Sequence, residues 1–147
     1  MTRETYDDEA IAALLLTVRR TAVVGASPKP SRHSHRVMRY LQSAGYKAVP
    51  INPLTDEETI LGEPVFASLA DVPAPIDLVD VFRRQDALPE VAEEILTAHR
   101  DKQIRAVWFQ LDLYDAEIAA RLRDAGLTVV MDRCIKIEHG RLLTSRE

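Results

Sequence analysis

Cysteine is nearly absent: Cys134 is the one cysteine in 147 residues. No internal disulfide can form, and no Cys-x-x-Cys pair offers a zinc site. Aromatic residues make up only 5%, little material for a base-stacking platform, and Trp108 in AVWFQ reads as core or pocket wall. Five glycines are present and none completes a GxGxxG after Gly25, so the dinucleotide fingerprint is missing. No apolar run approaches the roughly 18 residues that span a bilayer, which excludes a membrane partner. The N-terminal MTRETYDDEAIAALLL places its acids before the apolar run, the reverse of a signal peptide. With one thiol, that predicts a cytoplasmic protein. Basic charge is also short: 19 Lys and Arg against 23 Asp and Glu leave a net charge of −4, which argues against a nucleic-acid binder.

What remains is an ordinary soluble composition, 46% hydrophobic and 29% charged, with no repeat, low-complexity segment or linker. One domain over residues 1–147 is expected. The DDEAIAALLLTV segment predicts an amphipathic N-terminal helix packed on that domain, with acids where the helix dipole favours them. TAVVGA reads as a buried strand entering a turn. SHRVMRYLQSA carries Val37, Met38, Leu41 and Ala44 at helical spacing, with Ser31 or Ser34 as N-cap and Gly45 just past the end. KAVPIN is a second strand, and a short strand at 64–66 and a helical turn near 68–70 follow. Strands over 76–82, 104–109 and 127–131 alternate with helices over 87–99 and 115–125, while 135–143 is left unassigned.

Strands alternating with helices give βαβ units. The predicted fold is α/β: a Rossmann-like, doubly wound, mainly parallel sheet of five to six strands with helices on both faces. Ligands of such sheets bind at the carboxyl ends of the strands, here Gly25-Ala26-Ser27, Asn52-Pro53, Phe82-Arg83-Arg84, Gln110 and Asp132-Arg133-Cys134.

The first of these ends carries the chemistry. A strand, a turn with one glycine and a helix bring backbone N–H groups to an anion, although the same arrangement also occurs as a purely structural turn. Five of the nineteen basic residues, Lys29, Arg32, Arg36, Arg39 and Lys47, crowd this stretch. Cations at a helix N-terminus oppose its dipole, and a bound polyanion accounts for them. Lys29, Arg32 and Arg36 are read as ligand contacts, Arg39 and Lys47 as solvated. The acid that bonds the ribose of NAD at the end of a second strand is replaced by Asn52-Pro53, which disfavours NAD.

VVGAS, RxSxRVMRYL, INP, LADVP, DLVDVFR, Trp-Phe-Gln and AGLxVVMDRC, in this order, resemble the stand-alone CoA-binding proteins. These are Rossmann-like domains akin to the CoA-binding part of the succinyl-CoA synthetase α subunit. The resemblance runs from about Thr21 to Glu138. It implies binding of coenzyme A or acyl-CoA without catalysis; whether the protein is a homo-oligomer or has an unidentified protein partner is left open. By position, the backbone of Gly25, Ala26 and Ser27 would approach the pyrophosphate, helped by Lys29, Arg32 and Arg36. Asn52 and Pro53 would border the adenosine or its 3′-phosphate; Val81, Phe82 and Arg83 would flank the nucleotide. Gln110 and Asp132-Arg133-Cys134 would lie toward the pantetheine or at an oligomer contact. Similar sequences carry Gly where Asp112 stands, a change that would narrow the rim or repel an anionic acyl group.

The tempting catalysts are weaker. His33 and His35, two apart, do not share a helix face and read as exposed loop and cap residues; no metal set completes around them. Cys134 reads as a small residue in a tight turn, or as a thiol able to trap a cofactor thiol as a mixed disulfide. Asp80, inside an apolar strand, needs a partner, for which Arg83 or Arg105 is expected. The rival class, an NAD(P)- or acyl-CoA-dependent enzyme on the same scaffold, lacks the acid, the glycines and a substrate domain.

Overall fold

In the computed structural model, residues 5–143 are described. Helix α1 (Asp8–Thr17) begins at Asp7, whose carboxylate accepts from the N–H of Glu9. The chain then alternates through strand β1 (Arg20–Val24), α2 (His33–Ser43) and β2 (Lys47–Ile51). A two-stranded excursion, β3 (Thr59–Ile60) with β4 (Glu63–Pro64), is antiparallel and lies outside the main sheet; Phe66 only bridges to Ile51. Strand β5 (Leu78–Val81), α3 (Leu88–Lys102), β6 (Ala106–Phe109), α4 (Ala116–Asp124), β7 (Thr128–Val130) and α5 (Ile135–Leu142) complete the order.

The main sheet has five strands in the order β2-β1-β5-β6-β7, every pair parallel. Its strands are apolar almost throughout because helices cover both faces. Alternate residues face opposite layers. Val24, Val81 and Phe109 join the layer of α3 and α4. Leu78, Ala106 and Trp108 face α1, α2 and α5. The α1 residues Ile11, Ala12 and Leu15 are buried in that second layer, so α1 is part of the same core. The doubly wound expectation holds, with five strands in the sheet.

The residues 135–143 form α5. Ile135, Glu138, His139 and Leu142 are its buried face, a helical i, i+3, i+4, i+7 stripe hidden by two polar members. Glu138 accepts from Arg141, which also pairs with Asp8, and His139 Nδ1 meets the Tyr40 hydroxyl at 2.8 Å. Among the described residues no helix is long and apolar enough to cross a membrane.

The order puts the switch point between β1 and β5. From β1 the chain crosses to β2 on one side; from β2 it returns to β5 on the other. The two departing loops open a crevice at the carboxyl edge there.

Candidate functional site

Two adjoining cavities occupy that crevice. A cleft of about 580 Å³ is lined from the β1 end by Gly25, Ala26, Ser27, Pro28, Lys29, Arg32, His33 and Ser34, and from the other strand ends by Asn52, Phe82, Arg83 and Gln110. A second, of about 670 Å³, shares Gly25, Asn52, Leu54 and Arg83 and continues over Pro53, Ser68, Glu90 and Glu94.

Gly25 is required where it stands. Its φ is +86°, and a Cβ would lie 2.1 Å from the Phe82 carbonyl oxygen. The β1 and β5 loops therefore touch backbone to backbone, which only glycine allows. The N–H groups of Gly25 and Ala26 both donate to the Ile51 carbonyl, at 3.0 and 3.2 Å. Those two donors hold the β2 edge and are not offered to the cleft. Asn52 is likewise engaged: Nδ2 donates to the Ala26 carbonyl and Oδ1 accepts from Leu54.

The start of α2 differs from expectation in an informative way. Neither Ser31 nor Ser34 caps it; Arg32 is the N-cap residue and makes no side-chain capping bond, and no acid lies in the first turn. The first-turn N–H groups consequently lack a capping acceptor, and His33 and Ser34 bring them to the cleft wall. Lys29 and Arg32 stand exposed beside them. Arg36 is held by a bond to the loop, donating to the Ser31 carbonyl at 2.6 Å.

Of the twelve residues expected at the site, nine line the first cleft: Gly25, Ala26, Ser27, Lys29, Arg32, Asn52, Phe82, Arg83 and Gln110. Pro53 lines the second cavity. Arg36 lines neither, and Val81, the last residue of β5, is fully buried in the α3 layer, because the strand's alternation turns its side chain into the core while Phe82 and Arg83 after it reach the cleft. Asp132, Arg133 and Cys134 lie off the cleft wall. Asp112, exposed at φ +74°, is outside it too, so it does not narrow the rim; its N–H donates to Asp132 Oδ1. Leu111 and Leu113, its neighbours, do line the cleft.

The histidine and aspartate expectations need correction. His35 is not an exposed cap: it is buried in α2, with Nδ1 unpartnered among the described residues. Asp80, wholly buried, is paired with neither Arg83 nor Arg105. Arg105 lies 3.5 Å from Asp77, whereas Gln110 Nε2 donates to Asp80 Oδ1 at 2.8 Å. The register decides this, since Asp80 sits opposite Trp108 and Gln110 follows two residues later on the same face. Burial pushes the Asp80 carboxyl up to about 8, the Gln110 bond opposing only in part. Asp80 Oδ2 and Gln110 Oε1 have no hydrogen-bond partner among the described residues.

His33 was not expected in the site. Its ring meets Phe82 edge-on, centroids 5.8 Å apart, and its Nε2 lies 3.8 Å from Cys134 Sγ. Burial, then the Arg36 guanidinium, lower its affinity for a proton, while the Gln110 carboxamide opposes them. Its position at the first residue of α2, next to the turn that follows β1, was the available signal. No group of three or more His, Cys, Asp or Glu able to hold a metal occurs among the described residues.

Comparison with known proteins places this architecture. The model of the CoA binding domain matches residues 19–140. The uncharacterized protein YneT of Bacillus subtilis (strain 168) is 43% identical over 129 residues, 88% of this chain and 91% of that protein. A Thermus thermophilus structure, cell-free ID.343, superposes with a TM-score of 0.86 at 38% identity, covering 94% of this chain and all of the other (100%). A dinucleotide-forming acetyl-coenzyme A synthetase of Ca. Korarchaeum cryptofilum, solved with phosphate and ADP, gives a TM-score of 0.63 at 26% identity; the likeness covers 75% of this chain and 25% of that one. With its match running from Arg19 before β1 into α5, the chain belongs to the CoA-binding domain family.

Proposed function

We propose that the protein binds coenzyme A or an acyl-CoA in the switch-point crevice, with its phosphates at the Ser27 turn and the N-terminus of α2, and without turning the ligand over. The carrying observation is the uncapped start of α2: first-turn donors without an acid or a side-chain acceptor, flanked by Lys29 and Arg32. A polyanion supplies what the chain withholds there, since aligned N–H groups and guanidinium forks both favour phosphate. The adjoining cavity over Asn52, Pro53 and Arg83 suits the adenosine. Leu111 and Leu113, at the β6 end of the cleft, give the pantetheine an apolar wall. Asn52, where NAD-binding sheets carry an acid, weighs against NAD. An unpaired buried thiol at Cys134 suits a reducing cytoplasm.

Titration calorimetry with CoA, dephospho-CoA and NAD tests this reading. CoA binds, dephospho-CoA binds more weakly for want of the 3′-phosphate, and NAD does not bind. Replacing Lys29 and Arg32 together by Ala weakens CoA binding by roughly tenfold or more, the scale of losing a charge-assisted hydrogen bond. Absence of CoA binding, or an affinity indifferent to both cations, would refute the assignment.

A further inference from the structure

The single thiol of the chain meets a histidine directly under the cleft. Cys134 follows β7 and is the N-cap residue of α5, yet its side chain makes no capping bond. It is 3% exposed and packs with Trp108, Ile135 and Phe82. Sulfur and imidazole are 3.8 Å apart, and His33 in turn forms part of the cleft wall. His33 thus touches both the thiol and the cavity.

A second feature points to a ligand at the same place. Gln110 lines the cleft and is only 4% exposed. Its amide is oriented by the bond from Nε2 to Asp80, while Oε1 has no donor among the described residues. A buried carbonyl oxygen left unpaired is costly, and a ligand N–H entering the cleft relieves it. Pantetheine carries such an N–H two carbons from its sulfur.

The reach is suitable. From the turn at the end of β1 to the end of β7 there are three inter-strand steps, through β5 and β6, roughly 14 Å at about 4.8 Å each. An extended pantetheine arm anchored by its phosphates at Ser27 covers that distance.

We propose that Cys134 and His33 form a thiol-exchange site for the disulfide of CoA. This rests on the CoA-binding reading above. His33 Nε2 takes the proton from Cys134 Sγ, and the thiolate attacks the nearer sulfur of the CoA disulfide. The disulfide S–S bond breaks as the Cys134–CoA bond forms, and the departing CoA thiolate takes the proton from the imidazolium. The CoA disulfide is the oxidant: one of its halves is captured and the other leaves as free CoA. Gln110 Oε1 accepts the pantetheine N–H and so aims the sulfur.

Intact-mass spectrometry of the full chain, incubated without reductant with CoA disulfide or with oxidised glutathione at equal concentration, tests the site. One CoA is expected per chain, attached at Cys134, removed by reductant, and formed at least about tenfold faster than the glutathione adduct. Cys134→Ser abolishes it. Because that change is in the core, His33→Gln at an exposed position gives an independent test, slowing capture by about tenfold or more through loss of the base. Equal rates with both disulfides, unchanged or faster capture in His33→Gln, or no adduct in a chain that binds CoA by calorimetry would each overturn the exchange site and leave CoA binding intact. A chain that binds no CoA fails at the earlier reading.

Discussion

Asp80→Asn isolates the most unusual electrostatic feature of the chain. Asp80 is wholly buried in β5, and one hydrogen bond from Gln110 is its support. Its carboxyl is pushed up to about 8 from an ordinary 3.8, chiefly by burial. The folded state therefore holds a proton that the unfolded chain releases. Such a group contributes its full stability below about 3.8 and loses it as the pH rises toward about 8. In that window the loss runs at roughly 1.4 kcal/mol per pH unit. Asn retains an oxygen to accept from Gln110 and cannot ionise. Urea unfolding of wild type and variant at about pH 5 and about pH 7 is expected to show the stability gap moving in favour of Asn by on the order of 2–3 kcal/mol. Every other titrating group is common to both chains, so the difference reports Asp80 alone. Parallel pH profiles would refute the reasoning, since they would mean that the carboxyl ionises in the fold as easily as in water.

Three further outcomes follow from the geometry. Gly25→Ala places a methyl group 2.1 Å from the Phe82 carbonyl oxygen at a left-handed φ; a loss of about 2–4 kcal/mol is expected by denaturant unfolding, with CoA binding weakened as the two loops part. Asp112→Gly removes a side chain at φ +74° that lies outside the cleft, so thermal stability rises by about 0.5–1 kcal/mol while CoA affinity stays as it was. Tyr40→Phe leaves His139 Nδ1 without the hydroxyl at 2.8 Å and costs about 1 kcal/mol, read from the same unfolding curves.

Much of the site was legible because it lies on one short stretch. Gly25, Ser27, Lys29 and Arg32 are neighbours in sequence, and the strand-turn-helix pattern places them together whatever the rest of the chain does. The bond from Arg36 to the Ser31 carbonyl was not legible, because only the folded loop presents that carbonyl within its reach. His35 looked exposed because its polarity masked a buried helical position. The α5 segment defeated periodicity for the same reason: Glu138 and His139 on its buried face are tolerated only because Arg141 and Tyr40 satisfy them.

The alternation of strand and helix, the burial of the sheet on both faces, the glycine turn and the lack of an acid for NAD were all readable along the chain. These are properties of local periodicity and of residue type, which survive without knowledge of neighbours. Tertiary structure alone decided which remote groups meet. Strand order set the crevice between β1 and β5, register gave Asp80 to Gln110 and not to an arginine, and the packing of α2 against α5 brought His33 to Cys134. Such pairings span 30 and 101 residues, and the sheet, not the local chain, chooses them.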